Sequence, residues 1–410
     1  MYINRLLASY ILKASRSFPV VLLTGPRQSG KTTLLRKIAR PDMGFVSLDD
    51  LVVRGLAISD PKLFFQRFKP PLFIDEIQYA PNLLIYIKLL VDERTTRLKP
   101  ANGLFWLSGS QNFTLMDNVS ESLAGRVAIM NLLGFSLYEY AGDSVSDKLK
   151  PFFMNKTKRI SRAINMPELF KVILRGSMPK PVVDRRIDIE QYYSSYLQTY
   201  LERDIRSQVG VRNLRTFEAF LRLLAARSAQ LLNMASLASE IGTALNTVKS
   251  WISLLEKTYQ IYILKPYHSN FNKREIKTPK VYFLDTGLLC YLTYWRDYRS
   301  VSAGPMAGPL FENWVISELI KSYWHRGKEA PFYFYRTRDG LEIDLFCVTG
   351  EGIIASEVKL SAMAQVKSFK ALETANASKL NIIEQWIFSL AQDILPLNAK
   401  TTVFPAGSIY

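Results

Sequence analysis

Two cysteines and two histidines in 410 residues leave little material for the chemistry those side chains usually carry. Cys290 and Cys347 each sit in an apolar run, where a free thiol packs as a small hydrophobe, so a disulfide scaffold is excluded. With only His268 and His325 beside them, no Cys/His zinc centre can be assembled, and a histidine-driven hydrolase has little to work with. Long hydrophobic runs are missing as well. The stretch from Leu83 to Val91 is interrupted by Lys88 and falls well short of the ~20 residues a membrane span needs. At the N-terminus, Arg5 and Lys13 divide Leu6 to Leu12 into an amphipathic helical pattern rather than a signal-peptide core. A cytoplasmic protein with no membrane partner is expected. Acidic side chains are scarce beside basic ones, 36 against 53, and the net charge of +17 draws phosphate polymers. DNA is the first partner to expect, with RNA open because nothing here reads a 2′-hydroxyl.

What is present points to a globular chain of several units. At roughly 150 residues per domain the length suggests about three, and 48% hydrophobic residues with 22% charged are too apolar for disorder. Chemistry in such a chain has to rest on carboxylates, lysines and phosphates.

The apolar run Pro19 to Thr24 leads directly into Gly25-Pro26-Arg27-Gln28-Ser29-Gly30-Lys31-Thr32 and then the helical Thr33-Leu34-Leu35-Arg36-Lys37-Ile38. Strand, P-loop and helix follow in the order phosphate binding requires. Gly25 and Gly30 let the backbone N–H groups wrap phosphates, and the helix start adds its positive dipole end. Lys31 is placed for the β- and γ-phosphates of ATP and Thr32 for Mg²⁺. A plain glycine turn between strand and helix is the alternative.

Downstream, Pro71-Leu72-Phe73-Ile74-Asp75-Glu76 is an apolar strand ending in two carboxylates. Asp75 would hold the Mg²⁺ shell and Glu76 would polarise the attacking water. Alone, such an end is more often a solvated turn; paired with the P-loop it reads as catalytic. A third strand, Gly103 to Leu107, runs into Ser108-Gly109-Ser110-Gln111, where Ser110 or Gln111 could sense the γ-phosphate. Arg126, in Ser122 to Val127, could reach a nucleotide in its own or a neighbouring subunit of a homo-oligomer, or be an ordinary surface arginine. Alternating strands and helices over residues 1–142 predict a three-layer α/β domain with nucleotide at the carboxyl edge of the sheet.

Residues 143–210 read as a basic helical connector carrying Lys156, Lys158, Arg159, Arg162, Lys171, Arg175, Arg185 and Arg186 and ending in the Tyr-rich helix Tyr192 to Val209. In residues 211–278, Leu231 to Gly242 and Leu245 to Leu255, with Asn246 as an expected N-cap, form two helices around a Gly turn, and the strand-like Gln260 to Leu264 follows. That order reads as a winged helix-turn-helix with Thr247, Lys249 and Ser250 facing outward. Such modules enter DNA grooves, and they also dock proteins or cover nucleotides.

In residues 279–410, Glu312 shares one helical face with Val315, Ile316 and Leu319, so a carboxylate needing a partner sits on an apolar stripe. The hairpin Leu341 to Leu360 alternates so that Asp344, Glu357 and Lys359 can converge with it. Asp344, Glu357 and Glu312 as Mg²⁺ ligands, with Lys359 orienting water, are the inventory of a metal-dependent phosphodiesterase. A salt-bridged sheet edge would use the same residues.

Over nearly its whole length the chain resembles a prokaryotic family of AAA-superfamily ATPases whose C-terminal half is a domain of unknown function related to the restriction-endonuclease-like fold. The segments that carry the resemblance are Val20 to Leu34, Phe73 to Gln78, Leu107 to Ser110, Tyr196 to Ile205, Tyr282 to Leu288, Leu310 to Asn313 and Ser356 to Lys359. The resemblance implies an AAA-type ATPase domain that binds and hydrolyses ATP, a winged-helix middle, and a restriction-endonuclease-like α/β C-terminal domain with Glu312, Asp344, Glu357 and Lys359 on its active positions. Two functions follow from these readings. One is an ATP-dependent remodelling or translocating enzyme on DNA, with or without metal-dependent cleavage by the C-terminal domain. The other is a nucleotide-dependent switch that docks a protein partner and cuts nothing.

Overall fold

A computed structural model describes residues 2–98, 100–109, 119, 121–142, 150–155, 161–200, 214–267, 278–337, 340–363 and 380–410. Ser110, Gln111, Lys156, Lys158, Arg159, His268 and the end of the expected Tyr-rich helix lie outside the described residues.

The first unit is a parallel sheet flanked by helices. Its strands are β1 (Val20–Thr24), β2 (Gly44–Ser47), β3 (Leu72–Asp75), β4 (Phe105–Ser108) and β5 (Val127–Asn131), in the order β2-β3-β4-β1-β5, all parallel. β1, β3 and β4 are buried along their whole length, as strands covered on both faces must be. The layers can be read residue by residue. Val20, Leu22, Leu72, Ile74, Phe105 and Leu107 face one core with the helices α3 (Leu51–Ser59), α4 (Pro61–Arg67) and α5 (Leu83–Thr96). Val21, Leu23, Phe73 and Trp106 face another with α1 (Leu7–Ser15) and α2 (Lys31–Ile38). The three-layer arrangement expected from sequence is present.

After β5 comes the short α6 (Leu137–Tyr140), whose Ser136 and Glu139 form a reciprocal capping box. The middle unit follows: α7 (Met166–Arg175), α8 (Pro179–Val183), α9 (Ile189–Tyr200), α10 (Leu214–Ala226), α11 (Met234–Glu240) and α12 (Leu245–Lys257). Asn233 caps α11 through its side chain. The N-cap of α12 is Ala244 without any side-chain bond, so Asn246, the residue expected to cap it, sits inside the first turn. Strand β6 (Ile261–Leu264) pairs antiparallel with β7 (Lys280–Phe283), so this ribbon spans the expected boundary at 278/279.

The rest of the middle unit and the last unit comprise α13 (Thr286–Leu292), α14 (Tyr298–Ala303), the long α15 (Ala307–Trp324), β8 (Phe332–Arg336), β9 (Glu342–Val348), β10 (Ile353–Val358), β11 (Ile382–Ser389), β12 (Leu395–Pro396) and β13 (Thr401–Pro405). The sheet order is β12-β13-β11-β10-β9-β8, antiparallel from β8 to β10 and parallel through β10, β11 and β13. α15 is buried nearly all round and shares one core with the middle helices and one face of this sheet. Among the described residues no helix is long and apolar enough to cross a membrane.

Candidate functional site

The parallel sheet delivers its functional side chains to one edge because every strand ends there. Gly25 follows β1 at φ +148°, and a Cβ on it would meet the Leu132 carbonyl oxygen at 2.1 Å, so only glycine lets the loop leave the strand. Gly30, at φ +91°, is the N-cap of α2 and turns the loop into the helix. Lys31 Nζ donates to the carbonyls of Gly25 and Pro26, 3.0 and 2.9 Å away, so the lysine folds back along its own loop. Ser29 Oγ is buried without a hydrogen-bond partner.

Asp75, at the end of β3, accepts from Thr32 Oγ1 at 3.0 Å on each carboxylate oxygen, and from Ser108 Oγ at the end of β4. An adjacent hydroxyl and carboxylate at the start of α2 are the hard oxygen donors Mg²⁺ takes, and the unpartnered Ser29 hydroxyl leaves the loop a free donor for phosphate. The residues therefore fit a nucleotide with its metal. Glu76 stands in the left-handed region at φ +58° and accepts from Gln78 Nε2. Sequence reasoning placed Asp75 and Thr32 together but missed Ser108 as their partner and Gln78 as the holder of Glu76. The signal for Ser108 was its place at the end of a strand beside β3.

A cavity of about 900 Å³ opens in front of the loop. Arg27, Gln28, Gly30, Lys31, Thr32, Thr33 and Glu76 form one wall, and Pro179, Lys180, Tyr192, Tyr196 and Tyr200 of the middle unit form the other. Tyr192 Oη donates to Gln28 across it at 2.9 Å, and Tyr192, Tyr196 and Tyr200 stack along α9 at one-turn spacing. Below the loop, Tyr259 Oη lies 2.8 Å from both Thr24 Oγ1 and Asn131 Oδ1, which ties the end of α12 to the strands that carry the P-loop.

Arg126 does not join this site. It precedes β5 at the end of the sheet opposite the loop, with its carbonyl bonded to Val20 N, and its guanidinium makes a two-point ion pair with Asp92 at 2.7 and 3.1 Å. A parallel strand that ends near the loop must begin far from it, which excludes Arg126 from its own subunit's nucleotide. The middle unit instead turns Lys180 toward the cavity.

The C-terminal carboxylates do converge, but around a cation sequence reasoning missed. Lys280 Nζ, on β7, lies 3.2 Å from Glu312 Oε1, 2.5 Å from Glu342 Oε1 and 3.9 Å from Asp344 Oδ1. Tyr282 Oη, two residues on and on the same strand face, donates to Glu312 at 2.6 Å. Lys359 Nζ lies 2.6 Å from Glu357 Oε2 and 3.8 Å from Asp344 Oδ2, and Asp344 also accepts from Val358 N at 2.9 Å. Burial and the Asp344 charge push the Glu312 carboxyl up to about 7 and the Glu357 carboxyl up to about 8. Burial alone would pull Lys280 down; Glu312, Asp344 and Glu342 hold it above its ordinary value. Among the described residues no three such side chains are placed to hold a metal ion. The expected Mg²⁺ shell of Glu312, Asp344 and Glu357 therefore does not fit: Lys280 stands against Glu312 and Asp344, and Lys359 against Glu357. The only sign of it in sequence was a lysine in the inward register of Lys280-Val281-Tyr282-Phe283.

Residues 17–141 match an AAA domain, residues 166–299 a domain of unknown function (DUF8612) and residues 307–409 a second one (DUF4143). The uncharacterized protein Rv2008c of Mycobacterium tuberculosis is 32% identical over 408 residues, covering 98% of this chain and 83% of that protein, and Mb2031c of Mycobacterium bovis matches equally. MJ1637 of Methanocaldococcus jannaschii is 25% identical over 394 residues, covering 89% of this chain and 80% of that protein. Among solved structures, the Walker-type ATPase PABY2304 of Pyrococcus abyssi aligns with 70% of this chain and 94% of its own at 16% identity and a TM-score of 0.43. The chain thus belongs to the family of Rv2008c and Mb2031c, and it carries an AAA domain ahead of the two further units.

Proposed function

We propose that the chain binds ATP with Mg²⁺ at the P-loop cavity, hydrolyses it, and uses the nucleotide state to change how the middle and C-terminal units hold DNA. The observation that carries this reading is the constellation at the carboxyl edge of the sheet, where Thr32, Asp75 and Ser108 are already hydrogen-bonded and Lys31 lies along the loop. A bound Mg²⁺ would offset charge on the phosphates, with Thr32 and Asp75 as the residues to hold it. Lys31 exchanges its loop carbonyls for phosphate oxygens. Glu76, released by Gln78, accepts the proton of the attacking water. Tyr259 and the α9 tyrosines join this edge to the middle unit, so a change at the loop has a hydrogen-bonded route outward.

DNA is supported by the net charge of +17 and by two helices, α11 and α12, followed by the β6–β7 ribbon, an order that supports the winged helix-turn-helix reading. On α12, Lys249 and Ser250 are exposed and Thr247 half-buried, as a groove-facing surface requires. The mixed sheet beside α15, antiparallel from β8 to β10 and parallel through β10, β11 and β13, supports reading the last unit as restriction-endonuclease-like. A homo-oligomer that placed Arg126 at a neighbour's nucleotide would first have to break its pair with Asp92. The second reading, a nucleotide-dependent switch that docks a partner without cleavage, is favoured by Lys280 standing among the carboxylates.

ATP turnover by the purified chain, with and without duplex, branched and single-stranded DNA, tests the proposal. Glu76→Gln should lower turnover by roughly 10² or more while ATP still binds, and Lys31→Ala should lose binding. Turnover indifferent to Glu76→Gln sinks the hydrolytic assignment. Turnover indifferent to every DNA, with no DNA bound at low salt, leaves the switch.

A further inference from the structure

A second cavity, of about 860 Å³, shares no lining residue with the one in front of the nucleotide loop. It lies among α6, α7, α13, α14 and α15, and its size falls within the roughly 300–1,000 Å³ of small-molecule sites. One wall of it is rigid. Gly176 stands at φ +73°, where a Cβ would run into Tyr193 Oη, and Ser177 donates through N and Oγ to Asp285 Oδ2 at 2.7 and 2.8 Å. Tyr193 Oη donates to the other Asp285 oxygen at 2.7 Å, and Phe135 N donates to the Ser177 carbonyl at 2.7 Å. The turn is thereby held by α9, by the start of α13 and by the segment after β5, so the cavity wall is formed before any ligand enters.

The lining combines ring surface with positive charge. Tyr140, Tyr291, Trp295 and Tyr298 are half-buried around the cavity, and the buried Trp314 adds to its apolar surface. Five cations and five carboxylates line it as well, but the carboxylates are already engaged. Glu318 pairs with Lys321 at 2.8 Å and Glu190 with Arg296 at 2.9 Å. Asp188 and Asp297 accept from backbone N–H groups at the starts of α9 and α14, and Glu168 lies in the first turn of α7, where the helix end favours its charge. Lys171, Arg175 and Arg185, by contrast, have no carboxylate partner among the described residues. Lys171 lies 4.9 Å over the Tyr298 ring and Arg185 donates to Tyr140 Oη at 3.1 Å. Arg175, half-buried, donates to the carbonyls of Pro181 and Asp184 at 2.7 and 3.0 Å, which leaves guanidinium donors over. Unpaired cations beside ring faces suit a ligand that brings both a ring and a negative charge.

We propose that this cavity binds a planar aromatic anion, with its ring among Tyr140, Trp295 and Tyr298 and its acidic group on Lys171, Arg175 and Arg185. The inference rests on this cavity alone and stands or falls independently of ATP turnover.

Fluorescence titration of the full-length chain with anilinonaphthalene sulfonate, and with its uncharged counterpart phenylnaphthylamine, provides the test. Wild type should hold one sulfonate dye per chain. Lys171→Ala combined with Arg185→Ala, both at exposed positions, should weaken the sulfonate at least about tenfold and the uncharged dye less than about twofold. Val172→Trp, which places an indole on the cavity wall, should abolish the binding of both dyes. Absence of saturable sulfonate binding by wild type overturns the proposal. So does sulfonate binding that the double substitution leaves unchanged or weakens no more than it weakens the uncharged dye, or that a folded Val172→Trp leaves intact. Should Val172→Trp fail to fold, as circular dichroism would show, the double substitution decides alone.

Discussion

Gly25 is the least forgiving residue of the nucleotide loop. Any side chain there faces both the positive φ and the Leu132 carbonyl, and neither is a flexible group that can move aside. Gly25→Ala should therefore displace the loop or the start of the segment after β5, with nucleotide affinity falling more than about tenfold and the thermal midpoint dropping; unchanged affinity by calorimetry would contradict the geometry. A second residue-scale effect is electrostatic. Glu139, Arg5 and His325 are buried together, with Glu139 3.2 Å from each partner. Burial pushes the Glu139 carboxyl up, but Arg5 and His325 together hold it well below the usual carboxylate range. Burial pushes the His325 imidazole down from 6.5, more than Glu139 can restore. Both folded values lie below their unfolded ones, so the unfolded chain binds more protons as pH falls and stability is lost toward acid. The loss should begin below about pH 6.5 with His325 and deepen below about 4.5 with Glu139. An unfolding midpoint that stays flat from about pH 7.5 to 5 would show that this trio does not titrate on unfolding.

Among the elements, α15 meets all three units. Glu318, Lys321 and His325 recur at helical spacing and face the AAA unit: Glu318 accepts from Leu137 N at 2.7 Å, Lys321 donates to the Phe135 carbonyl at 3.1 Å, and His325 accepts from Leu133 N at 3.3 Å. One turn and more earlier, Glu312 and Asn313 face the β6–β7 ribbon. Asn313→Ala would leave the Phe283 N–H and C=O buried and unpaired and strip Ser228 Oγ of its partner, a cost on the order of 3 kcal/mol. Chemical denaturation should show it as an early loss of the middle and C-terminal units, and a midpoint equal to wild type would refute the clamp. This helix also marks where sequence reasoning stopped. Its apolar face and the odd carboxylate Glu312 were readable from 3.6-residue spacing, and Asp344, Glu357 and Lys359 from period-two alternation within one hairpin. Lys280 was not, because its role comes from pairing 32 positions away across a unit boundary. Tyr259 reaches Thr24 across 235 positions, and no local pattern encodes that contact. Arg126 was misplaced for a related reason: spacing along the chain does not say at which end of a parallel strand a residue will lie.

At the scale of the whole molecule, the reading depends on where an excess of positive charge can act. A net charge of +17 is a statement about long-range attraction, not about any one contact, so its signature is salt dependence. Internal pairing uses part of it: Arg126, Arg222, Arg296 and Lys280 are all committed to acidic partners. Others, such as Arg185 and Lys249, are exposed on the middle unit. If a duplex is held by about six phosphate contacts, affinity should fall roughly a thousandfold between ~50 and ~200 mM salt. Lys249→Ala on α12 should reduce the slope of log affinity against log salt by about one if that lysine meets a phosphate, and act alike on all sequences. A partner protein docked by shape and apolar contact would show little such slope, and Lys249→Ala would leave it unchanged. The two functions proposed for this chain therefore separate on one plot, without either site being inactivated: a steep line that Lys249→Ala makes shallower assigns the basic surface to nucleic acid, and a flat one assigns the nucleotide-driven movement to a protein.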